Sequence, residues 1–107
     1  MRRLVSSPMV VLALLAGSVF SDAVAGDREL GQYLSSECVT CHRTSGPPMQ
    51  GIPHIAGWPE DQFVAVMAAY KEKQRDNPVM QTIAGRLSEA DIAALATFFA
   101  GLSPATK

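Results

Sequence analysis

The chain has 107 residues, 48% of them apolar, and 9 basic against 10 acidic side chains give a net charge of −1. That balance leaves no basic field for nucleic acid or for an anionic membrane surface. Both cysteines fall within one pentapeptide, together with one of the two histidines.

The chain opens with a basic pair, Arg2 and Arg3. An apolar run extends from Met9 to Phe20, broken only by Gly17 and Ser18, and then comes Ala23-Val24-Ala25. A basic n-region, an apolar h-region and an A-x-A site make residues 1–25 a secretory signal peptide, cleaved and excluded from the fold. The apolar run is about a dozen residues, and a membrane span needs roughly 20. Cleavage after Ala25 leaves residues 26–107, a single domain of 82 residues. Removing Arg2, Arg3 and Asp22 from the charge count leaves 7 basic and 9 acidic side chains, a net of −2. A domain this small has a limited core and usually needs a staple.

Asp27 to Glu37 reads as the first helix. Asp27 is its N-cap, Glu29 lies early in the first turn, and Leu30, Tyr33 and Leu34 share a face. Continuing that face brings in Cys38 and Cys41. Gly31, beside the stripe, is placed for the close approach of another helix.

The helix leads into Cys38-Val39-Thr40-Cys41-His42. Cysteines three apart lie on one face of a helical turn. There two thiols can add to the two vinyl groups on one edge of a haem, and the adjoining imidazole can turn under the ring to bind iron. C-x-x-C-H reads as a c-type haem attachment site. A redox dithiol is expected beside a βαβ pattern, and no strand pattern occurs here. Zinc needs further ligand pairs to complete four. A structural disulfide leaves His42 without a role. A covalently bound haem, one per chain, also supplies the staple. Because such a haem is attached after export, signal peptide and pentapeptide together place the mature chain in the periplasm.

Arg43 to Gly57 is a loop, dense in proline and glycine. If His42 binds iron through one ring nitrogen, the other N–H needs an acceptor, and a backbone carbonyl of Gly51-Ile52-Pro53-His54-Ile55 is the natural one. Ile55 is expected against the haem. Trp58, Met49 and Pro47-Pro48 are apolar groups in irregular segments, expected to cover the haem, with a docking patch around its edge as the alternative. Trp58 to Gln74 reads as the second helix, with Pro59 at its first position and a stripe of Phe63, Val66, Met67 and Tyr70. Asp76-Asn77-Pro78 then breaks the chain, and Val79 to Leu87 is expected to be an irregular connection carrying Met80. The last helix starts at the Ser88-x-x-Asp91 cap, runs along Ile92, Leu95, Ala96, Phe99 and Leu102 with Phe98 on its flank, and ends near Gly101 and Pro104. The reading is all-α: three main helices and two loops.

Met67 belongs to a helical core stripe. For the second axial position the ligand logic favours Met80, on a segment free to reach the distal face, over His54, which comes after Pro53 on the proximal side. His/Met ligation fills every iron position, so it suits one-electron exchange, disfavours catalysis at iron, and raises the potential. A haem enzyme or gas sensor would instead keep the distal site open.

These residues resemble the class I c-type cytochromes across essentially the whole mature chain. The shared motifs are Cys38-Val39-Thr40-Cys41-His42, Gly51-Ile52-Pro53-His54-Ile55, Met80 to Ser88, and Asp91 to Phe99. The resemblance implies the class I cytochrome c fold around a covalently bound haem. It implies thioethers from Cys38 and Cys41, axial His42 and Met80, the Pro53 carbonyl accepting from the His42 ring, and first and last helices crossing near the haem edge. The Gly31 to Cys38 spacing is one residue shorter than the commonest family pattern. More narrowly, the run Ile52 to Ser88 is similar to a haem domain of the cytochrome subunit of flavocytochrome c sulfide dehydrogenase. That likeness implies a monohaem, non-catalytic subunit taking electrons from an FAD-containing, sulfide-oxidising partner. The alternative is a free-standing soluble shuttle between respiratory or photosynthetic complexes.

Overall fold

In the computed structural model, residues 4, 5, 17 and 26–105 are described, and among them every regular element is helical. Apart from Leu4, Val5 and Gly17, the expected signal peptide lies outside the described residues. No described helix is long and apolar enough to cross a membrane.

Local chemistry sets the helix ends. The Asp27 carboxylate accepts from the backbone N–H groups of Glu29 and Leu30, and opens α1 (Arg28–Leu34). Ser35 then interrupts the helix. It is buried, and its hydroxyl donates to the Gln32 carbonyl at 2.6 Å. Helical bonding resumes at once, because the Ser35 carbonyl accepts from Cys38 and Val39 to form α2 (Ser36–Val39). The expected first helix is thus two short helices end to end. Pro59 sits at the cap of α3 (Glu60–Lys71) rather than inside it. Lys73 closes that helix in the left-handed region, at φ 58°, with N–H bonds from Lys73 to Tyr70 and from Gln74 to Ala69. This is a Schellman ending without the usual glycine.

The expected irregular connection from Val79 to Leu87 is mostly helix: α4 spans Pro78–Gly85. Asn77-Pro78 starts an element here rather than ending one. Asn77 is the N-cap, and Pro78 takes the first position, where its missing N–H costs nothing. The last helix, α5 (Glu89–Ala100), opens on a reciprocal capping box. The Ser88 N–H donates to the Asp91 carboxylate, and the Asp91 N–H to the Ser88 hydroxyl, at 2.9 and 3.1 Å.

Helix α1 packs on α5, and α3 packs on both α4 and α5. The first contact depends on Gly31. A Cβ there would run into the Ala94 carbonyl and come within 2.8 Å of the Phe98 Cβ. This close approach turns α1 so that Gly31 and Ser35 are buried while Tyr33, expected on the apolar stripe, is 78% exposed. The core joins Phe63 and Met67 of α3, Ala84 of α4, Ile92, Leu95, Ala96 and Phe99 of α5, and Ile55 of the loop. Phe99 is fully buried, stacks on Phe63 with centroids 5.7 Å apart, and takes the edge of Phe98 at 5.3 Å. Burying such aromatic side chains dominates the stability of a small core.

Candidate cofactor site

The pentapeptide forms the end of α2 and the turn beyond it. The Cys38 carbonyl accepts from both Cys41, at 3.2 Å, and His42, at 2.8 Å, so the chain still turns helically where the imidazole leaves it. Both thiols are free. Cys41 is exposed, whereas Cys38 is half-buried and packed against the core cluster. Burial, and secondarily the Glu37 carboxylate, push the Cys38 thiol up to about 11. In this setting it is a neutral thiol, poorly suited to be a free nucleophile or a metal thiolate. Among the described residues no group of three or more His, Cys, Asp or Glu side chains is gathered as a metal site.

The His42 ring nitrogen Nδ1 lies 2.6 Å from the Pro53 carbonyl oxygen. A carbonyl can only accept, so Nδ1 carries the proton and Nε2 keeps its lone pair for a metal. The partner loop is held in place by its own anchors. Ile55 and Ala56 are buried, and the Gly57 N–H donates to the Phe99 carbonyl at 2.8 Å. Gly57 can make this approach because it sits at φ 80° and lacks a Cβ, which would meet Pro104 at 2.8 Å. Pro53 itself is exposed, so its carbonyl is held by the residues just after it.

His54 makes a second bond of the same kind. Its Nδ1 donates to the Arg43 carbonyl at 2.7 Å, and its Nε2 is buried with no partner among the described residues. Nothing in the residue types announces this contact, because any residue can supply a backbone acceptor. The matched spacing, 42 to 53 and 43 to 54, is its one trace in the sequence.

Met80 is the third residue of α4, half-buried and packed against the core cluster. It stands on a capped helical turn and not on the irregular segment expected. Trp58 is also half-buried against that cluster, Met49 is 37% exposed, and Met67 is a core residue at 5% exposure.

Two unpaired thiols on one helical turn, joined directly to an imidazole with a free Nε2, match the donor set of a covalently attached haem. Cys38 and Cys41 would hold its edge, and His42 would bind its metal.

No family model matches the chain. Over its whole length the chain is 31% identical to the thiosulfate dehydrogenase electron acceptor of Thiomonas intermedia (strain K12), and it covers 50% of that protein. Over 61% of its length it is 34% identical to cytochrome c4 of Pseudomonas aeruginosa, covering 35% of that protein. The chain therefore spans half or less of the curated relatives it matches.

Proposed function

We propose that this chain, which is a class I c-type cytochrome with one covalently bound haem c and no catalytic role of its own, carries single electrons in the periplasm for an enzyme that oxidises inorganic sulfur compounds. The observation that carries electron transfer is the His42–Pro53 bond beside two free thiols, since it prepares one ring nitrogen for iron and fixes the other. The sulfur context rests on the likeness of the whole chain to half of a protein named as thiosulfate dehydrogenase electron acceptor.

In this reading Cys38 and Cys41 would hold the haem through thioethers, and His42 Nε2 and the Met80 thioether would bind its iron. When bound, haem c supplies a one-electron ferric/ferrous couple. The protein does the rest. Pro53 holds the His42 tautomer and raises its basicity. Ile55, buried at 7% exposure, would pack against the haem. Met80 would bind the iron through sulfur, which favours the reduced state. Ligation by both residues would leave no position for oxygen or peroxide, which suits exchange and not catalysis.

The first test is spectroscopic. The oxidised protein should show a red-region methionine–iron charge-transfer band and bind cyanide slowly. A missing band with fast cyanide or carbon monoxide binding refutes Met80 as ligand.

The second test concerns the donor. The ferric protein, mixed with purified thiosulfate dehydrogenase and thiosulfate, should be reduced within the enzyme's turnover time. The narrower resemblance points to an FAD-containing sulfide dehydrogenase, so the same mixing with that flavoprotein and sulfide separates the two donors. Reduction by neither leaves the free-standing soluble shuttle.

A further inference from the structure

We propose that His54 is a positioning residue for the axial histidine, clasping the backbone one residue beyond His42 in a bond that mirrors the one His42 itself makes. The inference rests on the reading of His42 as an iron ligand.

The two bonds are reciprocal. His42 donates to the carbonyl of Pro53 at 2.6 Å, and His54 donates to the carbonyl of Arg43 at 2.7 Å. Each spans 11 residues, and the donor lies on opposite sides of the loop base in the two cases. Inside the loop the backbone pairs little with itself. The bond from the Ile52 N–H to Met49 is its one internal backbone contact among the described residues. The rings therefore hold the base of the loop together.

The clasp is tied to the core most directly on its C-terminal side. Residues 55 and 56, directly after His54, are buried, and Gly57 is bonded to Phe99 of α5. On the other side Arg43 is exposed, and the nearest backbone anchor is one residue before it, where the His42 N–H donates to the Cys38 carbonyl at 2.8 Å. His54 thus transmits the rigidity of the α5 contact to the residue just past the ligand. The cost of this arrangement is visible. A solvated loop histidine would leave its second nitrogen in water, whereas His54 Nε2 is buried without a partner among the described residues, a desolvation penalty.

The consequence falls on the His42–Pro53 bond. If Arg43 swings, the His42 backbone swings with it, and the Nδ1–H bond to Pro53 lengthens. A weaker bond makes the imidazole a poorer donor through Nε2. A poorer donor stabilises ferric iron less, so the reduction potential rises.

The test uses haem-loaded protein and two variants. His54→Phe keeps a ring of similar size but has no donor. His54→Asn keeps an N–H that can reach the Arg43 carbonyl. The measurements are the midpoint potential, the ferric electron paramagnetic resonance g-values, which report the ligand plane, and the thermal midpoint. His54→Phe should raise the potential, by up to about tenfold in the redox equilibrium constant or ~59 mV for one electron, and change the g-values. His54→Asn should restore both. A lower thermal midpoint with unchanged potential and g-values in His54→Phe overturns the proposal and leaves His54 a structural residue only. The wild-type spectrum separates the two levels of failure. A ferric signal without an axial histidine overturns the ligand reading and the clasp with it. A histidine-ligated wild type that His54→Phe leaves unaltered overturns the clasp alone.

Discussion

Asn77 Oδ1 accepts the backbone N–H of Met80 at 3.1 Å, so the residue that starts α4 also fixes the turn bearing the proposed distal ligand. Pro78 sits between them at the first helical position, where its ring is already in helical geometry. Met80 is therefore presented from a capped helix end and not from a slack loop.

Replacing Asn77 tests that coupling. Asn77→Ala should cost about 1 kcal/mol of stability through loss of the cap. It should also speed cyanide binding to the ferric protein, because the first turn of α4 frays more often. Thermal unfolding and stopped-flow ligand binding measure the two effects. Unchanged cyanide kinetics would uncouple the cap from ligation.

Two methionines with different surroundings should behave differently. Met80→Ala should lower the reduction potential, abolish the red-region band and open the iron to exogenous ligands. Met67→Ala removes a buried core side chain and should cost about 2–5 kcal/mol, with the band retained. Potentiometry and denaturant melts on the two variants suffice, and an unaltered potential in Met80→Ala refutes the assignment.

Gly31 is a packing requirement. Gly31→Ala would press a methyl group onto the Ala94 carbonyl and the Phe98 Cβ, forcing α1 away from α5. The expected cost is about 1–3 kcal/mol, as for other overpacked contacts. Denaturant titration reads it, and a variant as stable as the parent would mean that the helices separate freely.

Cys38 carries a pH signature. Its thiol is held up to about 11 against an ordinary 9.0, by burial first and Glu37 second. The raised value means that the folded state keeps the proton longer than the unfolded one. The resulting stabilisation is fully present below pH 9 and is lost as pH rises towards 11. Helicity in chain prepared without haem should therefore fall over that window by circular dichroism. Haem-bearing chain should lack this step, because a thioether sulfur has no proton to lose. The same step in both would place the titration elsewhere.

Much of the fold is legible in the sequence because it rests on side-chain periodicity and caps. The stripes through Phe63 and Met67 and through Ile92, Leu95 and Phe99 are buried in the structure, and the Ser88–Asp91 box closes as its spacing suggests. The departures have identifiable causes. Asn77-Pro78 reads as a break, but the same dipeptide suits an N-cap and first position, and only the residues after Pro78 decide between the two. Tyr33 fits the helical period yet faces outward, because the glycine beside it sets the angle of α1 more strongly than the stripe does. Of the candidate site, the pentapeptide and the need for a loop acceptor are readable, since both derive from side-chain chemistry. The His54–Arg43 contact is not, since its acceptor is main chain.

The paired bonds at the base of the loop also bear on how the sequence can change. Residues 42 and 53, and 43 and 54, are stitched two by two, while residues 44, 45 and 47–51 lie exposed beyond the stitch. Chain added among the outer residues would lengthen a loop whose ends are already fixed, and closing a longer loop costs only about 0.6 kcal/mol per doubling. Among the described residues the outer part of this loop is thus a segment where added chain should leave the His42–Pro53 and His54–Arg43 bonds in place.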